Sequence, residues 1–281
     1  MEQQAKTIPL GIEGAGRPAT LGERMGRIYA AAQKPILSVS GVIVFLLFWE
    51  YAGTSGLINP LFTSAPSKIF AAAVQMIAQG DIWNDLYVSG SEFVIGFAMA
   101  IVIGIPLGMI LGWYRTVNYI FDPFVTAMNA MPRIALTPLF IIWFGIGLWS
   151  KVALVFLGAL FPIILNTFSG VHALDETLLK AARSFGAKDR QIFTTIALPG
   201  SVPFILSGLR LGLGRGLVGI VVGEMVAATA GIGYSMAIAG ATFQTDKLMV
   251  GIFIITGFGV LFTQVLNHFE HRFDAWRPQR T

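Results

Sequence analysis

The sequence contains no cysteine and very little charge. Without cysteine, the chain cannot form disulfides, iron–sulfur clusters or thiolate metal sites. Only 12% of its 281 residues are charged and 55% are hydrophobic, whereas a soluble domain carries about 25% charged residues. A surface with so little charge is not wetted by water, which excludes a soluble globular enzyme, a disordered chain and a nucleic-acid binder. The composition predicts a single all-α membrane domain.

Two signatures of catalysis are also missing. The three histidines, His172, His268 and His271, do not have the HExxH spacing of zinc hydrolases. No Gly-x-x-x-x-Gly-Lys-Ser/Thr phosphate loop occurs, so the chain does not hydrolyse ATP in the P-loop manner by itself. We therefore expect a protein that is not an enzyme and holds no cofactor.

Hydrophobic windows of about the length of a membrane span recur along the chain. A bilayer core about 30 Å thick requires about 20 apolar residues of helix. The segment 229–246 is too rich in glycine to assign, and Pro132, Arg133 and Pro138 interrupt the third window. Six transmembrane helices are predicted, at residues 36–51, 93–114, 124–146, 152–174, 204–228 and 248–269.

The Lys and Arg residues outside these windows predict the orientation of the chain. Most of them lie in the two tails and in the loops on the same side as the tails, and basic residues favour the cytosolic side of a membrane. We therefore expect both termini to be cytosolic. The predicted parts are an N-terminal tail over 1–35 with a short surface helix over 24–34, a transmembrane domain over 36–270, and a C-terminal tail over 271–281.

Small residues recur every four positions in the second and fifth windows. Such stripes let helix backbones approach closely. They indicate either ordinary packing inside the bundle or a face used for dimerisation or gating. The stripes consist of Gly96, Ala100, Gly104, Gly108 and Gly112, and of Gly208, Gly212 and Gly216.

The cytosolic loop at residues 172–202 has the pattern of two short helices. Asp175 is a candidate N-cap for the first, and Gly186 is its candidate C-terminal stop. An apolar stripe at helical spacing lies between them. It comprises Leu178, Ala181, Ala182 and Phe185.

A second helix is predicted after Asp189, its candidate N-cap, and Pro199 and Pro203 are expected to end it before the fifth span. The hairpin either packs on its own bundle or presents an apolar ridge to a cytosolic partner. The apolar positions of this second helix are Ile192, Phe193 and Ile196.

The same loop resembles the EAA loop of ABC-importer permeases. That family has Glu-Ala-Ala, three residues, Gly, nine residues, Ile, any residue, Leu and Pro. Lys180 stands where the family has Glu. The matching residues here are Lys180-Ala181-Ala182-Arg183-Ser184-Phe185-Gly186 and Ile196-Ala197-Leu198-Pro199.

Apolar Gly/Pro strings at residues 104–108, 131–136, 143–147 and 208–210 resemble the nitrate, sulfonate, taurine and bicarbonate branch of these permeases. The resemblance implies a type I importer fold in the bacterial inner membrane, with two permease copies forming the pathway. It also implies a separate ATPase that binds ATP and Mg²⁺, and an extracytoplasmic solute-binding protein. The implied ATPase-coupling residues are Leu178, Lys180, Ala181, Ala182, Arg183, Phe185, Gly186, Ile196, Leu198 and Pro199.

Other functions remain open at this point. The solute of the implied importer is a small anion or, alternatively, a neutral or cationic heterocycle such as a vitamin precursor. An ion-gradient-driven transporter more often has two related halves, and no internal repeat occurs here. A membrane enzyme would need a cluster of His, Asp or Glu near one membrane face, which the sequence does not show.

Ionisable residues inside a span cost about 2.5–3.5 kcal/mol on insertion scales, so each needs a partner or water. We expect Arg133 and Arg215 to face the pathway and attract an anion, with Glu224 as a further pathway candidate. Alternatively, the arginines satisfy carbonyls of a broken helix or a neighbouring glutamate. Arg210 is close enough to the cytosolic end to snorkel. Outer carboxylates are expected to be solvated, with guidance of a docked binding protein as the alternative; they are Glu50, Asp81, Asp85 and Glu92.

Overall fold

The computed structural model describes residues 21–59 and 62–271, and within these ranges the regular secondary structure is helical throughout. The helices from the N-terminal half are α1 (Leu21–Thr54), α2 (Pro66–Gln79), α3 (Asp81–Trp113), α4 (Arg115–Ala130), a 3₁₀ turn (Arg133–Leu136) and α5 (Thr137–Phe144). Those that follow are α6 (Leu148–His172), α7 (Glu176–Ser184), α8 (Asp189–Ile192), a π-helical turn (Phe193–Ala197), α9 (Leu198–Ala227), α10 (Ile232–Ala241) and α11 (Thr245–His271).

Five of the described helical segments are long and apolar enough to cross a membrane, and a bent pair of helices makes a sixth. The all-α polytopic fold predicted from composition is therefore confirmed. The five segments are residues 36–54, 81–113, 148–172, 189–227 and 245–268.

The predicted third span is not one helix. The chain bends by 86° between α4 and residues 133–144. Met131 adopts an extended conformation with ψ 132°, because a residue that precedes proline is disfavoured in the helical region. Pro132, one of the residues expected to interrupt the third window, therefore breaks the span.

The prediction that Pro199 and Pro203 would end a helix before the fifth span was wrong. Pro199 is the second residue of α9, where proline costs little, and Pro203 lies inside the same helix, so neither ends it. The π-helical turn before them directs the Leu198 N–H to the carbonyl of Phe193. The loop at residues 172–202, predicted to be cytosolic, is thus continuous with the fifth span.

Three further regions differ from the sequence prediction or add to it. Helix α1 is continuous from Leu21, so no break separates residues 24–34 from the first span; residues 1–20 and 272–281 lie outside the described part. Helix α2 was not predicted, and it buries Ile69 and Ala72 in a small apolar cluster with Ile82 and Val250. The unassigned segment 229–246 contains α10.

Helix α6 lies between α3 and α9 and forms the centre of the bundle. A methyl group added at Gly108 of α3 would lie 2.6 Å from Thr167 Cβ and 2.7 Å from the Ile164 carbonyl of α6. On the opposite side of α6, a methyl group at Gly212 of α9 would lie 3.1 Å from the Ala159 carbonyl. These distances favour the first interpretation of the small-residue stripes, which is packing inside one bundle.

We expect Gly108→Ala to destabilise the purified protein by about 1–3 kcal/mol, the usual effect of overpacking a closed interface. The matched control is Gly90→Ala on the same helix, where an added methyl group has no neighbour within 4 Å. Thermal unfolding in detergent should show a lower midpoint for the first variant and an unchanged or slightly higher one for the second. Equal midpoints for both variants would contradict close packing at Gly108.

Candidate functional site

The break in the third span opens onto a cavity of about 480 Å³ that α6 and α9 complete. Its wall is largely apolar and its polar atoms come mainly from three arginines. Gly158 of α6 allows the close approach of α9, since an added methyl group would lie 3.0 Å from the Arg215 carbonyl. The cavity is lined by Met131, Pro132, Arg133, Ile134, Thr137, Leu154, Gly158, Arg210, Leu211, Gly214, Arg215, Val218, Gly219 and Val222.

Arg133 and Arg215, the two predicted pathway arginines, meet at Asn129. Arg133 Nη2 donates to Asn129 Oδ1 and to the Asn129 carbonyl, both at 3.1 Å. Arg215 Nη1 donates to the same Oδ1 at 3.2 Å. The carbonyl lies at the end of α4, where no later N–H of the helix is available to it. One arginine therefore satisfies a broken-helix carbonyl, as the alternative interpretation expected, while both line the cavity.

Asn129 was missed in the sequence. It precedes Arg133 by four residues, a spacing that places two side chains on the same face of a helix. The surrounding stretch, Phe124 to Met131, is otherwise apolar apart from Thr126. That single amide in an apolar window was the available signal.

The charges of Arg133 and Arg215 have no acidic partner among the ion pairs of the described residues. The described pairs are Lys180 with Glu176, Arg183 with Asp189, and Arg210 with Glu270. Arg210 also donates to Asn267, which fits the structural role predicted for it. The cavity thus has two guanidinium groups whose positive charge is not neutralised by an ion pair among the described residues.

Glu224 is not brought to these arginines. It is 1% exposed and lies in a buried polar cluster at the other end of α9, where Ser89 Oγ donates to its Oε1 at 2.6 Å. The Gly233 N–H donates to its Oε2 at 2.6 Å. Glu224 is a buried acceptor for an N–H group of α10. Its position therefore does not support grouping it with the pathway arginines.

Two carboxylates predicted to be solvated are buried as well. Asp85 is 8% exposed and Glu92 is 3% exposed. Asp85 Oδ1 accepts the Gly231 N–H at 2.8 Å, and its other oxygen accepts the Ser235 hydroxyl. Gly231 has φ +118°, which lets the chain turn α10 back over α3. For Asp85, the Gly231 N–H at the start of α10 and the Ser235 hydroxyl replace the water that the prediction assigned to this carboxylate. Glu92 Oε2 has no hydrogen-bond partner among the described residues.

The cytosolic loop contains the predicted first helix with its predicted ends. Asp175 Oδ1 accepts the Thr177 N–H at 2.7 Å, and Gly186 has φ +79° just after the helix. The second helix begins one residue earlier than predicted from its cap, because Lys188 and not Asp189 is the N-cap. There the Gln191 amide oxygen accepts the Lys188 N–H at 2.8 Å.

The apolar stripe of α7 faces outward. Leu178 is 51% exposed and Phe185 is 91% exposed. The second helix of the loop is instead anchored to the bundle, with Ile192 buried and the Phe193 ring edge-on to Trp113 at 5.3 Å between centroids. The hairpin therefore has one fixed side and one exposed apolar side.

Lys180 forms an ion pair within α7, where its Nζ lies 3.0 Å from Glu176 Oε2. The hydrogen bond from Lys180 lowers the pKa of Glu176, and the hydrogen bonds from Thr177 lower the pKa of Asp175. A lowered carboxyl pKa stabilises the folded helix above the unfolded-state pKa, and this contribution is lost as pH falls through the folded-state value. Both carboxylates are therefore ionised and support α7 at neutral pH.

A family model described as "Binding-protein-dependent transport system inner membrane component" matches residues 104–275. This range contains the broken span, the cavity, the cytosolic loop, α9 and α10. It also covers more than half of the chain.

Several curated proteins are similar over most of their length. The chain is 34% identical to the taurine transport system permease protein TauC of Escherichia coli K12, over 86% of this chain and 90% of that one. It is 32% identical to the putative aliphatic sulfonates transport permease protein SsuC of Bacillus subtilis 168, over 83% and 85%. It is 28% identical to the formylaminopyrimidine transport permease protein ThiX of Halalkalibacterium halodurans, over 91% and 100%.

Among solved structures, the chain is similar to one of the MetNI methionine ABC transporter in inward-facing conformations. The TM-score is 0.57 at 18% identity, and the match covers 70% of this chain and 96% of that one. At this identity the likeness shows a shared fold.

Proposed function

Because the chain belongs to the family of binding-protein-dependent transport system inner membrane components and is the permease component of an ABC importer, we propose that its basic cavity forms part of the path of a small organic sulfonate. The observation that supports this most directly is the pair Arg133 and Arg215. Both line the cavity, and neither has an acidic partner among the described ion pairs.

The cost of charge in a bilayer is the physical reason for choosing an anion. An unpaired arginine at mid-membrane depth costs at least about 2.5–3.5 kcal/mol, and two such groups in one cavity repel each other. A sulfonate supplies one full negative charge and three acceptor oxygens, which suits the forked donors of two guanidinium groups. Relatives named for taurine and for aliphatic sulfonates support the same class of solute.

The rival solute class is a neutral or cationic heterocycle, for which the relative named for formylaminopyrimidine transport is the precedent. A cation entering this cavity would meet Arg133 and Arg215 without a neighbouring carboxylate in the described contacts. The electrostatics of the cavity therefore favour the anion over the heterocycle.

Helix α7 is the proposed contact with a separate ATPase. Its apolar stripe is exposed, through Leu178 and Phe185, although apolar side chains at a helix surface are usually covered by a partner when they form one patch. The loop leads directly into α9, which contains Arg215. Closure of an ATPase dimer on α7 would thereby move one wall of the cavity, while ATP and Mg²⁺ remain bound to the ATPase.

The remaining parts of the proposed assembly follow from the family. A second copy of this chain completes the pathway, and an extracytoplasmic protein delivers the solute on the side opposite to α7. Both termini lie in the cytosol of a bacterium, and the chain crosses the inner membrane.

Substitution of the exposed stripe tests the coupling role. We expect the double variant Leu178→Asp, Phe185→Asp to reduce recovery of the ATPase with the purified membrane complex at least about tenfold, because buried apolar anchors dominate such interfaces. The matched control is Phe243→Asp, which changes an aromatic residue between α10 and α11 that is 64% exposed. Normal recovery of the ATPase with the double variant would refute docking at α7.

Reversal of one cavity charge tests the solute path. We expect Arg215→Glu to abolish uptake of the sulfonate that the binding protein delivers, while the ATPase still assembles with the membrane complex. Arg215→Lys, which keeps the charge but loses the fork, should retain partial uptake. Unchanged uptake and unchanged solute-stimulated ATP hydrolysis in Arg215→Glu would remove Arg215 from the path.

A further inference from the structure

We propose that Asn129 is a positioning residue whose side-chain oxygen occupies, in the absence of solute, the place of one sulfonate oxygen. This inference rests on the proposed function, since it assumes that the anion binds between Arg133 and Arg215. It adds a residue that the resemblance did not include, and it states what happens to that residue when the anion enters.

The orientation of the Asn129 amide follows from its partners. Guanidinium nitrogens are donors only, so the atom that faces both Arg133 Nη2 at 3.1 Å and Arg215 Nη1 at 3.2 Å must be the oxygen. A single acceptor thus bridges two donors from different helices. An oxygen of a bound oxyanion would make the same two contacts.

The amide is the weaker of the two acceptors. It brings only a partial negative charge to two full positive charges, whereas an oxyanion brings a full negative charge and is attracted more strongly to both guanidinium groups. An anion in the cavity therefore displaces the amide from the guanidinium groups. The buried Nε of Arg133 has no partner among the described residues, which leaves a further donor for the ligand.

The two arginines respond differently to this exchange. Arg133 keeps its second bond, from Nη2 to the Asn129 carbonyl, and its guanidinium lies 5.5 Å from the centroid of the Phe161 ring. Arg215 has no other hydrogen bond among those described. Arg133 therefore forms the fixed side of the anion site, and Arg215 forms the side that exchanges its partner.

Displacement of the amide also separates two elements. The contact between Asn129 and Arg215 is the one side-chain hydrogen bond described between α4 and α9. Entry of the anion replaces a direct link between these helices by a link through the solute. Occupancy of the cavity thus changes the connection between the broken span and the helix that continues from the cytosolic loop.

The test measures anion binding by the assembled permease–ATPase complex in nanodiscs, with sodium methanesulfonate as the probe and sodium chloride at equal ionic strength as the reference. The readout is the rise in thermal midpoint and the methanesulfonate concentration that gives half of it. The variants are Asn129→Asp and Asn129→Ala. The matched control is Asn118→Asp, eleven residues earlier and therefore on the same face of α4.

The two variants are expected to change in opposite directions. The carboxylate of Asn129→Asp should bind both arginines permanently, raise the midpoint without anion and increase the half-effect concentration at least tenfold. Asn129→Ala should lower the midpoint without anion and decrease the half-effect concentration severalfold, because no amide competes with the probe. Asn118→Asp should match the unmodified complex in its half-effect concentration.

The outcomes separate this inference from the proposed function. The proposed role of Asn129 is wrong if Asn129→Ala and Asn129→Asp both change the thermal midpoint but not the half-effect concentration. It is also wrong if only Asn129→Ala folds and its half-effect concentration is unchanged. If, in addition, Arg215→Gln removes the methanesulfonate response, the anion site is supported without the proposed role of Asn129. A normal response in Arg215→Gln would overturn the anion site itself.

Discussion

The close contact of α6 with two glycine-rich helices is the constraint on which the rest of the structure depends. A methyl group at Gly108 of α3 would clash with α6, and one at Gly212 of α9 would lie 3.1 Å from the Ala159 carbonyl of α6. Without a hydrophobic driving force between helices in lipid, such backbone contact is a main source of association. The same contact places the Arg215 backbone against Gly158 and so forms one wall of the cavity.

The cavity exists because a second constraint, Pro132, prevents the third span from completing its helix. The break leaves the Asn129 carbonyl without a helical N–H donor and turns Arg133 towards α9. The Arg133 guanidinium donates to this carbonyl, so the broken helix and the intramembrane charge satisfy each other. Among the described residues, Arg215 has no comparable backbone partner, and we propose a ligand for it instead. The proposed transport site therefore lies where the bundle is least regular.

The sequence predicted local features well and distant ones poorly. Helix α7 and its ends depend on neighbouring residues such as Asp175 and Gly186, and both were predicted. The burial of Asp85 could not be, because its partner Gly231 is 146 residues away and only the fold of α10 brings it there. Asn129 and the bend at Pro132 lie between these cases: the interruption by Pro132 was noted in the sequence, but the single amide of Asn129 in an apolar window was missed.

The most direct test of a solute path through this cavity uses the absence of cysteine from the chain. Val218 lines the cavity, and Val102 of α3 is 70% exposed outside it; each is replaced by Cys in turn. In the assembled importer, a membrane-impermeant thiol reagent should reach Val218→Cys from opposite sides of the membrane in the nucleotide-free and vanadate-trapped states. Sulfonate should protect Val218→Cys from the reagent. Labelling of Val102→Cys should be the same in both states and with sulfonate. Access to Val218→Cys from one side only in every state, unaffected by sulfonate, would contradict the path.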